Sequence, residues 1–305
     1  MRIGIHCFTS GSLGRAAVKA NELGANTFQI FSASPRMWRA KTPDAAQVAN
    51  LQELRARHDL KPLIIHDNYL INLASPPGII REKSIAAFTG EIERAIVIGA
   101  DYLVAHPGNY RGLSVEQGIV NVAEGLALAW RDVRDDLKAR ARLAILLENT
   151  AGAGAQLGGN LEELATIRQV VQPYLDIPVG YCLDTCHCYV SGFDISQQAG
   201  LEALIANACC ALDLDNVPVI HTNDTRMKLG SHCDRHAHIG AGYIGLEGFR
   251  RILNHPKLRD KAFILETPVD EPGDDLRNVT ALKELVSPKK RTIRRKSSRN
   301  GTSGG

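Results

Sequence analysis

Eight short runs of mainly aliphatic residues recur along this chain, and they limit the folds it can adopt more than any other feature. They occupy residues 2–6, 27–31, 62–66, 102–106, 143–148, 178–184, 217–221 and 262–266. Runs rich in Ile, Val and Leu are typical of strands that are buried on both faces of a parallel sheet. Successive runs end 25 to 45 residues apart, which leaves room for one helix and its loops in each interval.

The intervals carry signals of helix ends. Two pairs suit N-terminal capping boxes and two glycines suit C-terminal caps: Ser114 with Gln117, Asn160 with Glu163, Gly24 and Gly99. The first pair predicts a long helix over residues 115–140. Eight strand–helix units close naturally into a (β/α)8 barrel, so we predict an α/β fold of this type. A doubly wound open sheet is the structural alternative, but no glycine-rich dinucleotide loop follows the first run.

Composition places most of the chain in one folded domain. Apolar residues make up 44% and charged residues 23% of the 305 residues, which is the profile of a protein with an aliphatic core. We predict one domain over residues 1–286 and a disordered basic tail over residues 287–305, because the tail holds seven Lys or Arg and no acid. Without the tail, 29 positive side chains stand against 33 negative ones, a net charge of −4.

The cysteines and the apolar runs bear on the compartment. Seven cysteines at irregular spacings favour free thiols over a disulfide framework. No apolar run approaches the roughly 20 residues of a membrane-spanning helix, and the segment MRIGIHCFTS has the pattern of a strand and not of a signal peptide. We therefore expect a cytoplasmic protein without membrane partners.

Seven of the eight runs end on a histidine or an acidic residue. These residues are His6, His66, His106, Glu148, Asp184, His221 and Glu266. Because the carboxyl ends of all barrel strands face one mouth, we expect these side chains to converge there. Two loops add further candidates at the same mouth: His187, His232, Asp234, His236 and His238.

Imidazoles and carboxylates gathered in one place need counterions, and divalent metals satisfy both kinds of group directly. Nitrogen ligands combined with carboxylate oxygens favour zinc, with manganese or iron as alternatives. Cys186 and Cys188 flank His187, and they are either thiolate ligands or, as we expect, buried beneath the site. We expect His6 to lie behind the ligands and to orient one of them.

Seven motifs stand at these strand ends and loops. They are HDNYLINL (66–73), HPG (106–108), LENTAG (147–152), LDTCH (183–187), HTND (221–224), DRHAHIGAGYIG (234–245) and LETP (265–268). In this order they resemble the motifs of the endonuclease IV family of apurinic/apyrimidinic (AP) endonucleases, over a stretch from about His6 to Pro268. The resemblance implies that residues 1–286 form a catalytic TIM barrel of the xylose isomerase-like type.

The resemblance further implies three zinc ions held by nine ligands. Glu148 is expected to bridge two of the ions and to be the catalytic carboxylate. The expected ligand sets are His66 and His106 with Glu148, then Asp184, His221 and Glu266 with Glu148, and finally His187, Asp234 and His236. Three doubly charged ions add +6 to a body of net charge −4, so the mouth of the barrel would attract a phosphate group.

The activity that the resemblance implies is cleavage of duplex DNA on the 5′ side of an abasic site. The products would be a 3′-hydroxyl and a 5′-deoxyribose phosphate, ready for base excision repair. Arg36, Tyr69 and Leu70 match positions at which the family inserts side chains at the lesion. The loop HCFTSGSL after the first run departs from the family, which has small residues such as Ser and Ala there. The family is usually monomeric, and we expect a monomer.

The residues leave two other functions to weigh. A sugar isomerase or epimerase of the xylose isomerase-like group would use one metal held by Glu148, Asp184, His221 and Glu266, but it gives the other five ligands no role. A nucleic-acid-binding protein without activity would depend on the basic tail. We expect the tail to strengthen nonspecific binding to DNA. The alternatives are that it resembles a nuclear-import signal or that it has no role.

Overall fold

The computed structural model describes residues 1–286, and its centre is a closed barrel of eight parallel strands. The strands are β1 (Arg2–His6), β2 (Thr27–Phe31), β3 (Leu63–His66), β4 (Tyr102–Ala105), β5 (Ala144–Glu148), β6 (Val179–Asp184), β7 (Val219–His221), β8 (Asp224–Thr225), β9 (His236–Ala237) and β10 (Ala262–Leu265). The order around the barrel is β1-β10-β7-β6-β5-β4-β3-β2, while β8 and β9 form a separate antiparallel pair. Because β1 pairs with both β2 and β10, the barrel prediction is confirmed and the open-sheet alternative is wrong.

Helices surround this barrel and alternate with its strands. They are α1 (Leu13–Glu22), α2 (Ala45–His58), α3 (Ile79–Ile98), α4 (Val115–Asp132), α5 (Asp135–Lys138), α6 (Leu161–Val171), α7 (Thr185–Ser191), α8 (Gln198–Ala211), α9 (Gly245–Asn254) and α10 (Asp274–Glu284), with short 3-10 turns at Gln172–Tyr174 and Leu214–Asn216. The predicted start of α4 is confirmed, since the Ser114 side chain accepts a hydrogen bond from the Gln117 N–H. Gly99 ends α3 in the left-handed conformation, as predicted.

The predicted helix over residues 115–140 is confirmed as far as Asp132 and wrong after it. Val133 and Arg134 adopt extended backbone angles and separate α4 from the one-turn helix α5. Val133 is buried in the core, and the Arg134 N–H donates to the Glu93 side chain at 3.1 Å instead of continuing the helix. Tertiary contacts of these two residues therefore override the helical pattern of the sequence.

The two-residue period of the strands sorts side chains between the inside and the outside of the barrel. On β3, Leu63 and Ile65 face the helices, whereas Ile64 belongs to the interior cluster. The interior cluster consists of Ile64, Val104, Leu146, Cys182, Val219, Ala262 and Ile264. For six of these seven residues, the residue two positions later in the chain is a histidine or an acid at the mouth. These six are His66, His106, Glu148, Asp184, His221 and Glu266. A dry apolar layer thus lies directly beneath the polar residues of the mouth.

A buried aspartate shapes the long segment between β7 and α9. The Asp224 carboxylate accepts backbone hydrogen bonds from five residues of this segment, at 2.8 to 3.3 Å: Thr225, Gly240, Gly242, Ile244 and Gly245. A buried carboxylate requires such donors. These bonds fold the segment into a fixed loop, and the β8–β9 pair within it carries His236 to the mouth of the barrel.

Two further expectations concern the described residues. All seven cysteines are free thiols, as predicted. Among the helices of residues 1–286, none combines the length and the apolar character needed to cross a membrane. The predicted disordered tail, residues 287–305, lies outside the described part of the chain.

Two leucines of α10 test the packing of the helical layer on the barrel. Leu282 is fully buried, whereas Leu276 on the same helix is 49% exposed. We expect Leu282→Ala to lower the free energy of unfolding by about 3 kcal/mol because it leaves a cavity. The matched change Leu276→Ala should alter it by less than about 0.5 kcal/mol. Urea unfolding followed by circular dichroism measures both, and equal effects would contradict the described position of α10.

Candidate metal centre

Glu148, at the end of β5, lies at the centre of the polar residues in the mouth. One carboxylate oxygen, Oε2, lies 3.1 Å from His66 Nε2 and 3.0 Å from His106 Nε2. The other oxygen, Oε1, lies 2.9 Å from His221 Nδ1 and 3.5 Å from His187 Nδ1. The carboxylate is buried, and its two oxygens face different groups of imidazoles. This geometry suits a carboxylate that bridges two cations.

Glu148 also belongs to a second group of potential ligands, whose other members come from β6, β7 and the end of β10. These members are Asp184 of β6, His221 of β7 and Glu266, which follows β10. Together with Glu148, each of these residues offers one ligand atom, and the four atoms all lie within 4.8 Å of one another. His221 Nδ1 is 3.3 Å from Glu266 Oε2. Three carboxylates and one imidazole at such distances form a set of ligands for a divalent cation.

A third group lies nearer the opening of the mouth. His187 comes from the first turns of α7, and Asp234 and His236 come from the loop that Asp224 shapes. Asp234 bridges the two imidazoles, with Oδ2 at 3.2 Å from His187 Nε2 and Oδ1 at 3.1 Å from His236 Nε2. All nine residues that the sequence nominates as metal ligands are therefore gathered in three adjoining groups.

The hydrogen bonding within these groups fits a bound cation better than a self-sufficient polar cluster. His106 Nε2 and His236 Nε2 lie 3.0 and 3.1 Å from carboxylate oxygens, yet neither nitrogen makes a hydrogen bond within the described residues. Buried nitrogens without partners are rare in folded proteins. Nitrogens and oxygens that converge at these distances without forming a hydrogen bond can instead share a metal ion.

The charges of the groups point the same way. Burial by itself would lower the pKa of His66, but hydrogen bonds and charges of Asp67 and Glu148 raise it well above its ordinary value. Burial is likewise outweighed at His236, where Asp234 above all raises the pKa to about 9. Although burial alone would raise the pKa of Glu148, His221 and His106 hold it well below its usual range. The imidazoles of His66 and His236 therefore retain protons unless another cation replaces them.

Gln29 is a residue of this centre that the sequence reasoning missed. Its Nε2 donates to Glu266 Oε1 at 2.6 Å, and its Oε1 accepts from His221 Nε2 at 2.8 Å. This second bond leaves His221 Nδ1 free to act as the ligand atom facing Glu148. Two features of the sequence could have indicated Gln29. It lies on β2, the only one of the eight predicted strands that does not end on His, Asp or Glu, and it occupies a position of that strand that faces the inside of the barrel.

His6 reaches the ligands only through Gln29. Its Nδ1 lies 3.1 Å from Gln29 Nε2, and burial lowers the pKa of His6 to about 4, so the ring is neutral. Its Nε2 has no hydrogen-bond partner within the described residues. His6 therefore contacts the residue that holds Glu266 and His221, and it also lines the cavity beside the ligands; the orienting role expected for it stays a prediction.

Two asparagines that were also missed fix Asp184 and Glu266. Asn223 Nδ2 donates to Asp184 Oδ2 at 2.6 Å, and Asn223 Oδ1 accepts from the Glu266 N–H at 2.8 Å. Asn149 Oδ1 accepts from the Asp184 N–H at 2.6 Å. Both asparagines stand within two residues of a ligand in the motifs LENTAG and HTND. Their position in those motifs was the signal that could have found them.

The remaining histidines and cysteines near the mouth hold a loop or lie buried, although Cys186 Sγ also lies within 4.8 Å of potential ligand atoms of Asp184 and His236. His232 Nδ1 lies 2.8 Å from the Ala151 carbonyl, and the His238 ring contacts Asn278 of α10, so both residues hold the loop that carries Asp234 and His236. Cys186 and Cys188 are buried, and this burial raises the pKa of each thiol to about 12. The shift favours the protonated thiol, in keeping with the expected burial beneath the site.

The loops after β2 and β3 border the mouth and carry the three side chains predicted to contact DNA, of which Tyr69 lines the metal-centre cavity. Arg36 lies exposed in the loop after β2, and Tyr69 and Leu70 lie in the loop after β3. The Tyr69 side chain is 66% exposed, and its ring stands edge-on to Phe31 at 5.2 Å between centroids. Tyr69 lines both the metal-centre cavity of about 280 Å³ and an adjoining groove of about 410 Å³. A path for an extended ligand thus runs past Tyr69.

Phe8 is an exposed rim residue that the sequence reasoning did not single out. Its side chain is 69% exposed and lines the metal-centre cavity together with His6. Its ring stands edge-on to His6, with centroids 6.4 Å apart. Phe8 belongs to the loop HCFTSGSL, so this loop places an aromatic side chain at the edge of the mouth.

Comparison with known proteins agrees with this architecture. A family model described as a xylose isomerase-like TIM barrel matches residues 17–286. A protein of Solibacter usitatus (strain Ellin6076) named probable endonuclease 4 is 59% identical over 289 residues, which cover 95% of this chain and 98% of that protein. The crystal structure of endonuclease IV from Thermus thermophilus has a TM-score of 0.81 and 36% identity, covering 93% of this chain and 98% of that chain.

A sugar-epimerase relative is more distant. A D-tagatose 3-epimerase-like protein has a TM-score of 0.68 at 20% identity, covering 93% of this chain and 97% of that chain. At this level of identity it shares the fold alone. The match of the sequence motifs, the strand-end ligands and the high identity over nearly the whole length all point to one group of enzymes: the chain belongs to the endonuclease IV family.

Proposed function

We propose that this AP endonuclease of the endonuclease IV family hydrolyses the phosphodiester bond on the 5′ side of abasic sites in duplex DNA. The products are a 3′-hydroxyl and a 5′-deoxyribose phosphate, which base excision repair can use. The observation that carries the proposal is the position of Glu148. Its two oxygens face two donor groups at the floor of a mouth, and the rim of that mouth presents Arg36, Tyr69 and Leu70.

We assign three zinc ions to the three groups of ligands. The assignment follows the gathered sets: His66, His106 and Glu148; Glu148, Asp184, His221 and Glu266; and His187, Asp234 and His236. Imidazole nitrogens mixed with carboxylate oxygens suit zinc. The ions would also reverse the sign of the net charge of residues 1–286, which is −4 without them, and they would place the added positive charge at the mouth. A phosphate group is attracted to the mouth only after this reversal.

Divalent ions held at these positions would supply a hydroxide nucleophile near neutral pH and would stabilise the negative charge that develops on phosphate. The chain supplies the geometry. Glu148 sets the spacing of the two inner ligand groups because it belongs to both. Gln29 and Asn223 hold Glu266, and Asn223 also holds Asp184. These amides keep the ligands in place while the DNA binds. Because the ions would supply the hydroxide, no side chain has to act as the nucleophile.

Recognition of the lesion depends on the rim. An abasic nucleotide has no base to stack, so it leaves the duplex at a lower free-energy cost than an intact nucleotide. We assign Tyr69 and Leu70 to fill the gap, and we assign Arg36 to the DNA next to it. The exposure of Tyr69 and Arg36 supports the assignment, because an exposed aromatic ring and a guanidinium can stack with bases.

The sugar isomerase alternative accounts for less of the site. Its single metal would need only Glu148, Asp184, His221 and Glu266, which do form one of the groups. It gives no reason for the gathering of His187, Asp234 and His236, or for the closeness of His66 and His106 to Glu148. The epimerase-like relative shares only the fold.

The other assignments follow from the sequence. We take residues 1–286 as the catalytic domain and propose that the basic tail, residues 287–305, strengthens nonspecific binding to DNA. We further propose that the protein is a cytoplasmic monomer.

Metal content and incision together test the proposed function. We expect the protein as isolated to hold near three zinc ions per chain and to cut a duplex oligonucleotide on the 5′ side of its single abasic site. Removal of the zinc should abolish cutting. Glu148→Ala should do the same and lower the bound zinc, because two ligand groups share this side chain. Elemental analysis and gel separation of the end-labelled DNA measure both quantities.

The control is Glu116→Ala, which changes an exposed glutamate of α4 and should alter neither quantity. Intact DNA in the presence of a single bound metal per chain would contradict the proposal. That outcome would favour the sugar isomerase, and aldose and ketose sugars would then be tested as substrates.

Substitution of Tyr69 tests the recognition of the lesion. We expect Tyr69→Ala to lower the preference for abasic over intact duplex about tenfold, since one stacked aromatic contributes roughly 1–3 kcal/mol. The matched change Tyr174→Ala removes a tyrosine of similar exposure, 70%, that lines a different surface groove, and it should have no effect. Fluorescence anisotropy with both duplexes measures the preference. Equal weakening on both duplexes by Tyr69→Ala would contradict the role of this side chain.

A further inference from the structure

A buried ion pair on α3 lies outside the metal centre. Arg94 Nη2 is 2.8 Å from Glu91 Oε1, and the two residues are 6% and 3% exposed. Removing two charges from water costs free energy, and the attraction between them often fails to offset it. Neither side chain belongs to the ligand groups of the mouth. The pair therefore calls for a role other than stability.

The pair forms a closed ring of contacts with Ser32. Arg94 Nε donates to Ser32 Oγ at 2.7 Å, and Ser32 Oγ donates in turn to Glu91 Oε2 at 2.5 Å. Ser32 is buried and is the first residue after β2. It begins the loop that carries Arg36 to the rim. Through Ser32, the ion pair thus holds the start of the loop after β2, which carries Arg36.

The same carboxylate also holds the neighbouring loop. Asn68 Nδ2 donates to Glu91 Oε1 at 3.4 Å, while Asn68 Oδ1 accepts from the Leu70 N–H at 3.0 Å. The Tyr69 N–H donates to the Pro35 carbonyl at 3.1 Å, which joins this loop to the first one. The two loops that carry the rim side chains are therefore linked to each other and to one buried carboxylate.

We infer that Glu91 and Arg94 are positioning residues that set the preference of the enzyme for abasic DNA. The inference rests on the proposed function, in which Arg36, Tyr69 and Leu70 contact the lesion. Side chains inserted into a gap bind well only if their backbone is already fixed, since ordering a loop on binding costs free energy. Glu91 is buried and acts only through the loops that it holds.

The substitution Glu91→Gln tests this role, because it keeps the shape of the side chain and removes its charge. Ser32→Ala is a milder second variant that leaves the ion pair itself in place. We expect both variants to bind as much zinc as the wild-type protein. We expect Glu91→Gln to raise KM for abasic duplex about tenfold, the factor that corresponds to roughly 1.4 kcal/mol. Its kcat and its Kd for intact duplex should change by less than about twofold, which is within ordinary variation between surface variants.

A double-mutant cycle separates positioning from general stability. The substitution is repeated in a protein in which Arg36, Tyr69 and Leu70 are all alanine. If Glu91 acts by placing those side chains, its effect on KM falls below about twofold in that background, because nothing remains to be placed. An unchanged tenfold effect in that background, equal weakening on intact duplex, or a loss of zinc would each overturn the inference.

Asp101→Asn is the matched control. Asp101 accepts from the Leu63 N–H and pairs with Arg55 at 2.7 Å each, at the start of the strands and away from the mouth. Its loss should leave the preference for abasic DNA unchanged. If Glu91→Gln does not fold, Ser32→Ala is expected to give the same pattern, and a wild-type preference in Ser32→Ala would then overturn the inference. A wild-type protein without preference for abasic DNA would contradict the proposed function, and this role with it.

Discussion

The alternation of side chains along parallel barrel strands is the constraint on which the rest of this structure depends. The inward-facing apolar residues of the interior cluster close the barrel to water, and for six of these seven residues the next inward-facing residue of the same strand stands at the mouth. Leu146 and Glu148 on β5 show the relation within one strand. Because the layer below is dry, the charge of Glu148 has to be balanced by cations or protons from the mouth itself.

This need for balance explains the amides around the ligands. Gln29, Asn149 and Asn223 carry no charge, so they direct the ligand atoms without competing with a cation for the carboxylates. The bond from His221 Nε2 to Gln29 also selects which imidazole nitrogen faces Glu148. Each of these hydrogen bonds thus orients one particular ligand, although the amide side chains that form them do not themselves belong to the ligand set.

The loops above the barrel are fixed by buried carboxylates of a different kind. Asp224 holds the loop with Asp234 and His236 through backbone N–H groups, and Glu91 holds the loops with Arg36 and Tyr69 through Ser32 and Asn68. One loop completes the metal centre, and the others form its rim. A barrel scaffold allows this division, because each loop is attached to a rigid strand but folds through its own contacts.

Local order in the chain predicts the barrel and six of the nine gathered candidate ligands, because strand runs recur at regular intervals and seven of them end on His, Asp or Glu. The other three, His187, Asp234 and His236, lie outside these runs and were expected from the resemblance of the motifs. The break between α4 and α5 depends on tertiary contacts, since the burial of Val133 and a hydrogen bond from the Arg134 N–H to Glu93 outweigh a helical pattern. The structure also brings Gln29 to His221, and it shows His232 and His238 in contact with Ala151 and Asn278. These outcomes depend on contacts between residues far apart in the chain, and no local pattern encodes such contacts.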